Sequence, residues 1–426
     1  MDHFQYIRGV LHCESVDVRS LAARFGTPLY VYSRRTLVEH YDRMASAFAS
    51  LNPWICYSVK SCPNLAVCRV LRKRGSAFDV VSGGELARAL EAGAAPERIV
   101  FAGVGKTDDE IRAGLAAGIG WFNVESEAEM EHVARLAADM GVTARVALRV
   151  NPDVDPKTHV YTTTGTRETK FGVDLERARS VFAAFDGRPS LRLDGIHLHI
   201  GSPVNTIEPF VRSITRGVAL IDALRAAGHG LRAINIGGGF GAHYDGIEAP
   251  PAARYAERIV PLLAGRDLTV LLEPGRSISA NAGILLTRTL YTKASGERRF
   301  VIADAAMTEL LRPALYGAFH FVWPVQPGDG MIPPTRGADV RLDGTVLVDV
   351  VGPVCESGDF LARDRYLPPV SRGDLLCVFS TGAYGFAMSS QYNSRCRPAE
   401  VMVDGDDVRV IRRRETYNDL VSLERF

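Results

Sequence analysis

Residues 231–241 read LRAINIGGGFG, a short apolar, β-rich run closed by three successive glycines. Glycines directly after a strand let the backbone approach an anion closely, with N–H groups available to cradle a phosphate. The alternative is a plain tight turn. What separates the two is the place of this strand in the chain. The next strand candidate, 268–273 (LTVLLE), is followed by a second glycine in EPGR (273–276). Six candidates precede the strand within 231–241: 54–60, 77–81, 99–102, 121–124, 145–150 and 194–200. Amphipathic stretches separate them, at 63–75, 84–92, 108–117, 126–140, 175–185, 207–228 and, before the eighth strand, 252–264. Eight strands alternating with helices predict an α/β fold, an eight-stranded (β/α)8 barrel of the TIM type. In such barrels the loops after strands seven and eight are the usual phosphate site, and INIGGGFG follows strand seven. A Rossmann fold is not expected, because no early strand–GxGxxG–helix unit exists.

After about residue 280 the pattern changes to β-like runs at 283–293, 299–304, 339–351, 374–380 and 400–412, separated by Gly, Pro and Asp. VMVDGDDVRVI (401–411) has the form of a hairpin on an Asp-Gly turn. We expect residues 30–280 to form the barrel. Residues 281–426, joined by 1–29, are expected to form an all-β domain, a sandwich or barrel.

Composition sets outer bounds. The 426 residues carry 50 basic and 49 acidic side chains. That balance argues against a nucleic-acid scaffold or a polybasic membrane binder. No run of about 18 apolar residues suggests a transmembrane helix, and MDHFQYIRGV lacks signal-peptide character. A cytoplasmic enzyme is the expectation. Seven cysteines spread over the chain, with no Cys-x-x-Cys pair, do not make a disulfide framework or a structural zinc site. Lysine is scarce: only Lys60, Lys73, Lys106, Lys157, Lys170 and Lys293 occur, the other basic residues being Arg.

The unusual polar residues fall at the carboxyl ends of the predicted strands, where barrel active sites are built. Lys60 ends the first strand, Asp79 lies in the second and Arg149 ends the fifth. His197 and His199 lie in the sixth, followed by Ser202; Gly237, Gly238 and Gly239 follow the seventh; Glu273, Gly275 and Arg276 follow the eighth. A barrel-facing Lys60 is a desolvated amine suited to attack an aldehyde, although a surface lysine at a strand end is the plain alternative. His197-Leu198-His199 puts two imidazoles on one strand face, which also suits zinc. The further ligands are lacking, since His243 lies past the glycine loop and Asp304 outside the barrel. Phosphate cradle, amine nucleophile, ring-stacking His and inward Glu together describe a pyridoxal-phosphate site, the Glu keeping a pyridine nitrogen protonated.

With those residues in place, the chain resembles the fold-type III pyridoxal-phosphate decarboxylases, and within them the diaminopimelate decarboxylases. The resemblance runs through FGTPLYVYS (25–33), YSVKSCPNL (57–65), FDVVSGGEL (78–86), NVESEAEM (123–130), LRVNPDVD (148–155), KFGV (170–173), HLHIGS (197–202), NIGGGFG (235–241) and EPGR. It continues through LLRPALYGAFH (310–320), GPVCESGDFLA (352–362) and TGAYGFAMSSQYNSRCRPAEV (381–401). It implies Lys60 as the lysine that carries the cofactor and His199 stacked on its ring. It also implies a phosphate site from Ser202, Gly237–Gly239 and the backbone after Glu273, with Tyr384 reaching the cofactor. Arg276, Arg312 and Tyr316 would bind substrate carboxylate, Glu356 the distal amino group, and Cys355, from a second subunit, would donate a proton. The implied protein is a homodimer with shared active sites that converts meso-2,6-diaminopimelate to L-lysine and CO2. Rival readings are a same-fold decarboxylase of ornithine, arginine or a carboxylated polyamine, and a non-catalytic pyridoxal-phosphate carrier. Three departures stand beside the motifs. Ser61-Cys62 replaces the family's usual Ala-Asn, Thr308-Glu309 its Asn-Asp, and Pro203 the Gln after HIGS.

Overall fold

A computed structural model describes residues 2–155, 170–246 and 248–426. Lys157 lies outside the described residues. The chain divides into two compact units: His40–Gly241 with Ala249–Ser277, and Met1–Glu39 with Ala242–Glu248 and Ile278–Phe426.

The first unit holds eight parallel strands: β1 Trp54–Ser58, β2 Ala77–Val80, β3 Ile99–Phe101, β4 Trp121–Val124, β5 Ala144–Asn151, β6 Leu191–His197, β7 Ala233–Asn235 and β8 Thr269–Leu272. Each pairs with the next, and β8 returns to β1, with Leu271 opposite Trp54, so the sheet closes on itself. The helices between them are α1 Leu65–Lys73, α2 Gly83–Glu91, α3 Asp108–Ala117, α4 Glu127–Asp139, α5 Leu175–Phe185, α6 Glu208–Ala226 and α7 Ala252–Leu263. Their starts are written in the sequence. Asn64, Ser82, Thr107, Ser126 and Asp174 each accept a backbone N–H at the first turn, satisfying donors that the helix itself leaves unpaired.

One layer of the barrel interior is apolar: Cys56, Ala77, Val100, Trp121, Ala147, Ala233 and Leu271, one residue from each of seven strands. The remaining strand, β6, contributes Gly195, where a Cβ would lie 3.0 Å from the Trp121 ring and 3.3 Å from both Ala147 and Ala233. A glycine there gives the indole its space. Side chains alternate along a strand, so the residues two positions on face inward one layer higher. In β1, β2, β4, β5, β6, β7 and just past β8 these are Ser58, Asp79, Asn123, Arg149, His197, Asn235 and Glu273, all buried. An apolar floor thus carries a polar ring.

The second unit is built on a nine-stranded mixed sheet and a separate three-stranded sheet formed by Phe4–Ile7, Val10–Cys13 and Val16–Asp17. Leu29–Ser33 runs antiparallel to Gly283–Ser295 and parallel to Ala399–Asp404. Because this pairing ties residues 29–33 to the sheet, the barrel unit starts at His40 rather than at the expected residue 30. The hairpin of Ala399–Asp404 and Asp407–Arg412 turns at Gly405, whose φ of 67° suits glycine. One further expectation is corrected. Only Val346–Val351 of the run 339–351 is a strand, since the Thr345 hydroxyl closes a turn on the Leu342 carbonyl at 2.6 Å. Beside its sheets the unit carries the short helices Val18–Phe25, Arg312–Tyr316 and Tyr417–Val421.

Candidate active site

Lys60 lies two residues beyond β1, in the single 3-10 turn Val59–Ser61, and not in the strand as expected. Its Nζ sits 3.2 Å from Asp79 Oδ2, and the Ser58 hydroxyl donates to the same oxygen at 2.6 Å. Asp79 is fully buried while the lysine is 37% exposed, so the amine reaches outward from an anchored carboxylate. Burial and the neighbouring Glu273 charge push the Asp79 carboxyl up, opposed by Lys60 and Ser58.

Glu273 is the most strongly held group of the ring. Its Oε1 accepts from Asn123 Nδ2 at 3.0 Å and from Asn235 Nδ2 at 2.5 Å, and its Oε2 lies 3.2 Å from His197 Nε2. Burial alone would raise its pKa. The His197 charge and hydrogen bond, with the Lys60 charge, outweigh burial and hold the carboxyl well below the usual carboxylate range. The two histidines therefore serve different partners, although their ring centres are 6.5 Å apart. His199 Nδ1 accepts from the Gly238 N–H at 3.2 Å, which leaves the proton of the neutral ring on Nε2. Burial, with Arg149 and Lys60 nearby, lowers its pKa well below that of free histidine. Among the described residues, no group of three or more His, Cys, Asp or Glu is arranged to hold a metal ion.

The glycine loop carries a correction. Gly237 N–H donates to Asn235 Oδ1 at 2.9 Å and Gly238 N–H to His199, so two of the three donors expected for phosphate are used inside the protein. Close approach is what demands glycine. A Cβ at 237, 238 or 239 would lie 2.3, 2.1 or 2.2 Å from the carbonyl oxygens of Leu198, Glu273 and Gly201. Ser202 accepts from Arg276 Nε at 3.0 Å, and Gly275 abuts Ser58 and Ser61. Lys60, Asp79, His199, Ser202, Gly237–Gly239, Glu273, Gly275 and Arg276 thus all lie at the carboxyl end of one barrel.

The remaining predicted residues belong to the second unit. Arg312 opens a one-turn helix ending at Tyr316; its Nη1 donates to His320 Nε2 at 2.8 Å and its guanidinium lies 4.7 Å from the Tyr244 ring centre. His320 in turn bonds the Phe379 carbonyl through Nδ1 at 2.9 Å. Cys355 and Glu356 are exposed on the turn before Phe360–Leu367; Cys355 N–H donates to Asn393 Oδ1 at 2.9 Å, and the Tyr392 hydroxyl bonds Glu356. Tyr384, with φ 55°, packs on Ala242, Ala280 and Ala383 beside Tyr244.

Sequence reasoning missed Asn123 and Asn235, which clamp Glu273. It also missed Glu125, which accepts from Arg149 Nη1 at 2.7 Å and from the Gly172 N–H at 3.0 Å. The signal was available: each asparagine stands two positions after an apolar residue of the barrel floor.

A pyridoxal group fits this ring. Asp79 Oδ1, Asn123 Oδ1, Arg149 Nη2 and His197 Nδ1 are buried with no hydrogen-bond partner in the protein, as at a site built around a polar ligand. An amine, a buried anion and a half-buried imidazole supply the chemical complements of its aldehyde, ring nitrogen and ring face.

Comparison with known proteins gives the same class. The family model "Pyridoxal-dependent decarboxylase, pyridoxal binding domain" matches residues 34–280, and the chain belongs to that family of pyridoxal-dependent decarboxylases. Within it, the chain is 47% identical to the diaminopimelate decarboxylase of Pseudomonas aeruginosa, over 100% of this chain and 99% of the relative. It is 44% identical to that of Vibrio cholerae, with the same coverages. Diaminopimelate decarboxylase from M. jannaschii, solved in complex with L-lysine, superposes with a TM-score of 0.92 at 34% identity, covering 100% of this chain and 98% of that one. The Helicobacter pylori enzyme, also solved with L-lysine, gives 0.90 at 38%, covering 96% and 99%. The particular branch to which this chain belongs is therefore the diaminopimelate decarboxylases.

Proposed function

We propose that this protein decarboxylates meso-2,6-diaminopimelate to L-lysine and CO2 with pyridoxal 5′-phosphate carried on Lys60. The observation that carries the reading is the Glu273 carboxylate, buried, held ionised and clamped by two amides at the barrel mouth that also holds Lys60. When bound, the cofactor supplies an electron sink for the pair left on the α-carbon as CO2 departs. Glu273 would pair with the ring nitrogen and keep its proton. Asp79 orients Lys60, and neutral His199 offers an uncharged face for stacking. Ser202, Gly239, Gly275 and Arg276 are the groups proposed for the phosphate, since Gly237 and Gly238 donate internally.

Substrate choice is assigned to the second unit and rests on the full-length relatives. Arg312 and Arg276 suit carboxylates, because a guanidinium pairs bidentately, and Glu356 suits a distal ammonium. Tyr316 and Tyr384 complete that set. Cys355 of a second copy is the proposed proton donor to the α-carbon, which makes the working form a homodimer with shared sites.

The test is CO2 release from meso-diaminopimelate, ornithine, arginine and lysine at equal concentration, for the parent and for Arg312→Met. A strong preference for meso-diaminopimelate, eroded in Arg312→Met mainly against that substrate, is expected. Comparable rates on ornithine, or an equal loss on every substrate, would sink the assignment. A buried polar group left without its partner costs roughly 1–3 kcal/mol, and a charged one more, so discrimination of at least about 10–100-fold is expected.

A further inference from the structure

We propose that Lys106 is a positioning residue for the cofactor ring, its buried ammonium fixing the end of β4 and, through Asn123, the Glu273 carboxylate. This rests on the reading of Glu273 given above. Lys106 lies in the loop between β3 and α3, and its side chain is 1% exposed. An ammonium has three N–H donors, and here each goes to a different element. Nζ bonds the Gly103 carbonyl of its own loop at 2.8 Å, the Asn123 carbonyl in β4 at 2.7 Å and Glu129 Oε1 on α4 at 2.5 Å. The other Glu129 oxygen accepts from the Glu125 N–H at 2.8 Å. The backbone is therefore gripped at Asn123 and at Glu125. Between them these residues present an amide to Glu273 and a carboxylate to Arg149.

The strand β2, two places away in the barrel, shows what is added. Asp79-x-x-Ser82-x-x-Glu85 after β2 and Asn123-x-x-Ser126-x-x-Glu129 after β4 share one spacing. In each, Ser caps the helix and Glu returns to the backbone N–H at 81 or 125. Among the described residues, no buried lysine makes an ion pair with Glu85. Asp79, which it supports, is anchored by Ser58 instead. At β4 the ammonium takes the place of such an anchor. As a pure stabiliser it would be a poor choice, because a buried ion pair can often be replaced by apolar residues of like volume at no cost. Its value lies in direction.

The experiment compares equilibrium binding of pyridoxal phosphate with that of the analogue whose ring nitrogen is replaced by C–H. Parent, Lys106→Met, Asn123→Ala and the double variant are titrated by visible absorbance, without substrate. Misplacing one charge-assisted contact should weaken pyridoxal phosphate about tenfold in each single variant, and the double should be no weaker than the worse single. Binding of the analogue, which has no nitrogen for Glu273 to hold, should change less than about twofold. Equal weakening of both ligands, no weakening of either, or additive losses in the double would overturn the proposal. Should Lys106→Met fail to fold, Glu129→Gln breaks the same grip and must show the same discrimination. Glu273→Gln serves as the control: if it too fails to distinguish the ligands, the Glu273 reading has failed rather than the role of Lys106.

Discussion

Replacing Glu273 by Gln tests the centre of the mechanism with almost no change in volume. The carboxylate accepts two amide N–H groups on one oxygen and faces His197 with the other. Hydrogen bonds to a charged acceptor contribute roughly 1.5–3 kcal/mol and neutral ones roughly 0.5–1.5 kcal/mol, so the amide substitution costs about 1 kcal/mol for each of the two. Stability should fall by about 2 kcal/mol, read as a lower urea midpoint with an unchanged m-value. The catalytic cost is larger. Removing one preorganised group that stabilises developing charge costs about 100- to 1,000-fold in kcat. The pH dependence is a sharper test. The folded-state pKa of Glu273 is depressed, so its contribution is fully present above the ordinary carboxylate value and is lost only as pH falls through the lower, folded value. From about pH 5.5 to 9 the parent and the Gln variant should therefore differ by a constant factor. The assay is CO2 release from saturating meso-diaminopimelate across that range. A loss below about tenfold, or a gap that closes as pH falls towards 5.5, would refute the reasoning.

Lys60→Ala should keep its fold but lose the borohydride-fixable cofactor linkage and nearly all turnover; peptide mass spectrometry that finds the cofactor on Lys106 or Lys170 of the parent would reassign the site. Mixing inactive Lys60→Ala with inactive Cys355→Ala should restore activity to about a quarter of parental sites if each site draws on both copies of a two-fold dimer. No recovery despite demonstrated subunit exchange would rule sharing out. Burial pushes the Glu85 carboxyl up to about 7, with the nearby Asp79 charge adding to the rise. A raised folded-state value means that the stability associated with this group is present below the unfolded carboxylate pKa and is lost as pH climbs through about 7. Glu85→Gln, which keeps the acceptor for the Val81 N–H, should thus be relatively more stable than the parent at pH 8 than at pH 5, measured as the difference in urea midpoints.

The barrel was legible because its signals are local. Each of the eight strands is a short apolar run, and the Asn, Ser, Thr or Asp capping five of the helices stands directly before the first turn. The second unit was less so. Phe360–Leu367 was missed because Arg363, Asp364 and Arg365 interrupt its apolar pattern, and Asp364 takes a φ of 53° at an irregular pairing with Val346–Val351. Residues 30–33 were expected at the start of the barrel because the partners of their strand lie some 250 and 370 residues away, beyond any pattern a window can hold.

The site shows a different boundary between what is local and what is not. Lys60, His199 and Glu273 stand out as chemical types at strand ends, whereas Asn123 and Asn235 read as ordinary polar residues. Their meaning comes from the two-residue period of the strand. Trp121 and Ala233 belong to the apolar floor, so Asn123 and Asn235 must face inward one layer above it, where only another polar group can satisfy them. The same step takes Ala77 to Asp79, Ala147 to Arg149, Gly195 to His197 and Leu271 to Glu273. Once the floor is assigned, the ring follows by adding two, and the electrostatics follow from the ring. It contains two carboxylates, a guanidinium, an imidazole, two amides and the Ser58 hydroxyl, with the lysine amine beside Asp79. Both amides are spent on Glu273, and this carboxylate, rather than Asp79, is the one held well below the usual range. The division of labour proposed for the two acids, one to hold a ring proton and one to steer the lysine, thus follows from their neighbours: His197 and Lys60 hold Glu273 down, while burial and the Glu273 charge push Asp79 up.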